Sequence, residues 1–184
     1  MTDLPPMTAD VPPTLPPAIS PYRCDLEDVR RRFVEEAPAE QQRRRGDLFS
    51  VLELHSRMVA GLARGEEVRM WINGGFLTHK DWRLPRDVDV VYLIPRDALP
   101  QAVRPGRYGL WTLTDVSGRI GNSNMMFESD VLRPGFGLVD AYVAPDSLAS
   151  RLLWSDSWSK VRGPDGETIP GRSKGFVEVM LNAS

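Results

Sequence analysis

The 184-residue chain contains one cysteine, two histidines and three lysines. A single thiol, Cys24, excludes an internal disulfide scaffold, and so few soft or nitrogen ligands make a zinc site a poor expectation. No apolar run approaches the ~20 residues of a membrane-spanning helix, so no membrane association is expected. The amino terminus lacks the basic-then-apolar layout of a secretory signal, and a cytoplasmic location is the expectation. Excess charge is missing too. With 23 basic and 25 acidic residues the formal charge is −2, which removes the bulk electrostatic argument for binding nucleic acid or a membrane surface. Carboxylates are the one abundant class of metal ligand, and they suit a hard cation such as magnesium.

Proline is unevenly spread. Seven of the sixteen prolines lie in the first twenty-one residues, where fixed φ and missing backbone donors oppose helix and sheet interior alike. Residues 1–22 are therefore expected to be a flexible, disordered arm, either solvated or docking a protein partner that reads proline. Residues 23–184 should form a single domain.

In that domain, Leu26, Val29 and Phe33 repeat at helical spacing behind the N-cap candidate Asp25, and Pro38 should end the helix. A longer helix follows, with Leu48, Val51, Leu52, His55, Val59 and Leu62 on one stripe and Gly65 as its stop. His55 lies on the stripe and reads as a core histidine satisfied by a hydrogen bond. The triplets Arg30–Arg32 and Arg43–Arg45, with acids beside them, read as solvated helix faces. After Gly65 the period changes to that of strands: Val68–Ile72, Val88–Ile94, Tyr108–Val116, Leu138–Val143 and Phe176–Leu181. A short helix is expected over Asp146–Trp154, capped by Asp146, and the polar stretch Ser117–Gly137 is ambiguous. Helices first and a sheet afterwards predict an α/β or α+β domain on a mixed sheet.

The chemistry concentrates in residues 70–95. A strand runs into Gly74-Gly75, where glycine permits a tight turn close to a ligand. A short helix beginning at Phe76 would point its free N–H groups at a phosphate there. Asp87-Val88-Asp89 then opens the most apolar strand. Residues i and i+2 of a strand share a face, about 7 Å apart, and two such carboxylates flanked by valine require a counter-ion. A divalent metal supplies one, and two metals form the clamp used for in-line phosphoryl or nucleotidyl displacement. A third acid should come from a neighbouring strand. Asp140, in an otherwise apolar strand pattern, is the first candidate and Asp115 the weaker one.

Gly-Gly, a short gap, Asp-Val-Asp-Val and a later strand acid together resemble the signature of the DNA polymerase β-like nucleotidyltransferase superfamily over roughly Val68–Val143. The leading helices and Ser173-Lys174-Gly175-Phe176-Val177 look like short single-domain bacterial and phage members, some related to toxin–antitoxin pairs. The resemblance implies a minimal nucleotidyltransferase-like mixed sheet flanked by helices. It also implies transfer of a nucleoside monophosphate from an NTP to an acceptor hydroxyl on RNA, a protein or a small molecule, with release of pyrophosphate. Asp87 and Asp89 would ligate two Mg²⁺ (or Mn²⁺) ions. Asp140 would ligate the catalytic one and orient the acceptor, while Gly74 and Gly75 admit the triphosphate. Many members carry serine where this chain has Gly75; Thr78 or Lys80 would supply the missing contact. The alternative is a catalytically inactive protein on the same fold that binds a nucleotide or a partner.

Overall fold

The computed structural model describes residues 4–63 and 65–182. β-Branched and aromatic side chains suit a strand covered on both faces, and β3 (Val88–Ile94) is an interior strand of such a sheet. Its neighbours are β2 (Val68–Asn73), antiparallel, and β6 (Val139–Pro145), parallel. The sheet extends from β2 through antiparallel β9 (Val177–Leu181) to β1 (Tyr22–Cys24), parallel to β9. Helices precede and interrupt it, so the fold is α+β on a mixed sheet.

Strand alternation divides the labour between the two faces. Tyr92 faces α2 (Ala39–Ala60), where its hydroxyl lies 2.7 Å from His55 Nδ1; His55 Nε2 meets the Leu110 carbonyl at 2.8 Å. His55 is thus the satisfied core histidine its stripe predicts. Leu48, Leu52 and Val59 share that stripe and are fully buried, each contributing roughly 1.5–3 kcal/mol of apolar burial. On the opposite face, Phe176 packs on Trp71 of β2, and Trp158 of α5 (Leu148–Trp158) packs on Phe176. That face also carries Asn73, Asp89 and Asp140.

The first helix, α1 (Leu26–Arg30), starts at a capping box formed by Asp25 and Asp28 and continues as a π-helical turn over Arg31–Glu35. Helix α2 closes at Gly61 rather than Gly65, and Ser147, not Asp146, caps α5; Asp146 instead pairs with Arg69 and Arg151. The strand expected over Tyr108–Val116 falls partly in β4 (Leu113–Arg119), which forms a hairpin with β5 (Met126–Leu132) from the ambiguous stretch; the hairpin of β7 (Lys160–Arg162) with β8 (Thr168–Ser173) was not legible from periodicity. Tyr108–Leu110 is a 3₁₀ turn rather than the start of a strand. Short helical segments α3 (Leu99–Ala102) and α4 (Pro134–Gly137) complete the chain.

The proline-rich segment corrects one expectation. Residues 4–21 form no helix or strand, as their composition requires, yet they are packed against the domain rather than free. Leu4 and Leu15 are buried, and Arg32 donates to the carbonyls of Leu4 and Pro5 at 2.9 and 2.6 Å. The amides of His79 and Gly175 donate to Pro13 and Leu15. The packing relies on the missing side chain of Gly175, whose Cβ would stand 2.5 Å from both the Pro16 carbonyl and the Tyr22 ring. The first three residues of the expected arm lie outside the described residues.

Candidate functional site

The end of β2 and the beginnings of β3 and β6 meet in one row. Asn73 is the cross-strand partner of Asp89, and Asp89 is the partner of Asp140. The row opens into a cleft of about 670 Å³. Gly74, Gly75, Thr78, Lys80, Asp87, Asp89 and Asp140, the residues singled out by sequence, all line it. Asp115 does not: it is exposed on β4 with φ 52°.

Gly74 makes the approach of Asp89 feasible. Its φ is 78°, and a Cβ there would lie 1.5 Å from Asp89 Oδ2, so glycine is demanded by backbone and space together. Gly75 has no such constraint; its Cβ would touch nothing closer than 3.8 Å, at Pro85. The expected helix from Phe76 is instead a hydrogen-bonded turn, Thr78 N–H to Gly75 O at 3.3 Å, with Thr78 Oγ1 donating to Gly74 O at 3.0 Å. The expected helix terminus at Phe76 is therefore not formed. The reason is on α2: Arg45, fully buried, captures the carbonyls of Phe76 (2.6 Å) and Thr78 (2.8 Å), and Gln41 takes that of Lys80 (2.7 Å). Arg44 does the same for Pro85 and Arg86. The second arginine triplet is therefore the brace of the loop between the glycines and the acids, not a solvated face. Of the three arginines, Arg43 is exposed, Arg44 half-buried and Arg45 buried.

Asp87 stands at the bend immediately before β3, and Asp89 inside it. Burial, then the charges of Asp87 and Asp140, push the Asp89 carboxyl up to about 6, against the pull of Lys174 and Arg133. Asp140 is buried and well supported: Thr112 Oγ1 donates to Oδ1 at 2.7 Å and the Tyr142 hydroxyl to Oδ2 at 3.2 Å. Arg133 Nε lies 3.3 Å from Asp140 Oδ2 and 3.6 Å from Asp87 Oδ2.

The same cleft is lined by a cluster of cations. Lys174 is buried, and burial together with the charges of Lys80 and Arg162 lowers its ammonium to about 8, although Asp89 opposes this. Lys80 is lowered by burial and by Arg83 and Arg162 in the same way, and lies 5.8 Å over the Trp82 ring. Seven basic side chains and three acidic ones line the cleft, so a chain of net charge −2 carries a locally positive cavity.

The residues that line this cleft, Pro12 to Lys174, lie within the span of one family model. The chain belongs to DUF6932. This is a family of unknown function whose model matches residues 5–180. No curated protein and no solved structure matches the chain. The DUF6932 match spans the packed proline segment as well as the cleft.

The chemistry of the donor set suits a hard dication: Asp87, Asp89 and Asp140 line one cleft, and the repulsion that Asp87 and Asp140 exert on Asp89 is a cost that a cation would offset. As they stand, no three or more His, Cys, Asp or Glu side chains among the described residues form a group that could hold a metal ion. Arg133 lies between two of the acids instead. Arg133, Arg162 and Tyr142 escaped the sequence reading. Only Tyr142 carried a signal, being two residues from Asp140 and hence on its face of the strand.

Proposed function

We propose that the cleft binds a nucleoside triphosphate with Mg²⁺ or Mn²⁺ and transfers its nucleoside monophosphate to an acceptor hydroxyl, on a minimal nucleotidyltransferase-like fold. One observation carries this reading: a single cavity is lined by three acids, with Asp89 pushed up by burial and by the charges of Asp87 and Asp140, and by cations such as Lys80 and Lys174, which burial and neighbouring cations lower. A metal–polyphosphate satisfies both sets at once.

Asp87, Asp89 and Asp140 would hold the metal, which when bound neutralises phosphate charge and sharpens the electrophile. The residues of the chain do the positioning. Gly74 and Gly75 keep the cleft wall free of side chains where the triphosphate lies. Lys80 and Lys174 face its oxygens, and Thr78 borders the turn. Asp140, fixed by Thr112 and Tyr142, orients the acceptor hydroxyl and receives its proton. Arg44, Arg45 and Gln41 hold the loop so that little reorganisation is needed on binding.

A second reading, nucleotide or partner binding without turnover, draws on Arg133, which pairs with two of the acids. Incubation with each α-labelled NTP, Mn²⁺ and RNA, protein or small-molecule acceptors separates the two. Label transfer that disappears in Asp87→Ala/Asp89→Ala supports the enzyme; binding without transfer supports the second reading.

A further inference from the structure

Arg133 follows β5 directly, at the foot of the β4–β5 hairpin. The hairpin's other foot, Thr112, grips Asp140 Oδ1 at 2.7 Å, so both ends of this element meet on one carboxylate. The two grips differ in kind. Thr112 makes a short hydrogen bond and is itself held by the Ala141 amide at 2.9 Å. Arg133 Nε stands 3.3 and 3.6 Å from its two acids, longer than the ~2.7–2.9 Å of a charge-assisted hydrogen bond, and this buried nitrogen has no hydrogen-bond partner. It neutralises Asp87 and Asp140 by charge without being locked to either.

We propose that Arg133 is a displaceable cation, occupying the carboxylates in the ligand-free protein and passing to phosphate oxygens when a metal-bound triphosphate enters. The proposal rests on the reading of the cleft given above. A dication and a guanidinium cannot share the same two carboxylate oxygens without strong repulsion, so metal entry requires Arg133 to leave. A guanidinium fork matches phosphate as well as carboxylate, and Arg133 already lines the cavity that the phosphates would fill. The exchange would make metal binding weak alone and strong with nucleotide.

The test uses the full chain, with Arg133→Ala and Arg133→Lys. Free Mn²⁺ is titrated by electron paramagnetic resonance, and α,β-methylene analogues of the four NTPs are titrated by calorimetry in the presence of Mn²⁺. Arg133→Ala should bind Mn²⁺ alone at least threefold more tightly and the best analogue at least threefold more weakly, with Arg133→Lys between it and wild type. A purely structural role would not shift the two affinities in opposite directions. Unchanged or weaker Mn²⁺ binding by Arg133→Ala, beside a wild type that binds both probes, overturns this proposal alone. A folded wild type that binds neither probe overturns the reading of the cleft and this proposal with it.

Discussion

A methyl group on Gly74 would lie 1.5 Å from Asp89 Oδ2. The glycine turn and the acidic strand are therefore one device, in which the missing side chain of one residue makes room for the carboxylate of the other. Gly74→Ala should cost about 1–2 kcal/mol through its left-handed backbone alone and must also move Asp89. The expected result is a folded protein of lower Tm that has lost at least tenfold in Mn²⁺–nucleotide affinity, read by calorimetry.

Gly75 makes the opposite prediction. Because its Cβ would meet only ordinary contacts at 3.8 Å, Gly75→Ser should fold as well as wild type. Its hydroxyl adds one hydrogen bond to the bound triphosphate, worth about 0.5–1.5 kcal/mol. Affinity for the analogues should rise about 2- to 12-fold, with Tm unchanged in their absence.

Arg45 is a fully buried cation with four acceptors: Gln41 Oε1 and the carbonyls of Phe33, Phe76 and Thr78. Burial alone lowers its guanidinium to about 10. Truncation strands those acceptors in the core and frees the loop bearing the glycines. Arg45→Ala should destabilise in urea unfolding by at least the roughly 1–3 kcal/mol of one stranded buried acceptor. Arg45→Lys should recover little, because an ammonium cannot reproduce the planar fork.

Acid should weaken the fold through the histidines. Burial lowers both His55 and His79, the latter to about 4 with help from Arg45 and Arg32. Below about pH 6.5 the unfolded imidazoles bind protons that the folded ones refuse. Stability is therefore lost as pH falls, by at most about 1.4 kcal/mol per pH unit for each histidine. Asp89 acts in the other direction. Held at about 6 against an ordinary 3.8, it takes up a proton in the fold before the unfolded chain does, offsetting part of the loss between pH 6 and 4. Asp89→Asn should consequently match or exceed the wild-type stability at pH 7.5, by up to roughly 1–2 kcal/mol. It should also show a steeper decline below pH 6, followed by thermal unfolding across pH 4–8.

The parts of this architecture written in local pattern were legible before the fold was seen. The apolar run Val88–Ile94 had to be a central strand, and the i, i+2 spacing put Asp87 and Asp89 beside the cleft that Asp140 also lines. The β5 half of the β4–β5 hairpin was not legible, because Met126, Glu128 and Asp130 on one face are exposed and the other face, with Phe127 and Ser129, is only half-buried, so no apolar–polar alternation in the sequence marks a core side. Proline content correctly forbade helix in residues 4–21 but says nothing of carbonyls that Arg32 and Arg172 can reach from elsewhere. Arg45 and its neighbours looked like a charged helix face for the same reason: their partners are loop carbonyls thirty to forty residues away. Net charge concealed the cleft's positive potential, since the acids outside it balance the total.

The central claim, nucleotidyl rather than phosphoryl transfer, is tested most directly by the fate of two labels. With Mn²⁺ and an accepted acceptor, label at the α-phosphate should appear in the acceptor and label at the γ-phosphate in pyrophosphate, both dependent on Asp89. Label from the γ-phosphate in the acceptor, or transfer that survives Asp89→Asn, would contradict the account.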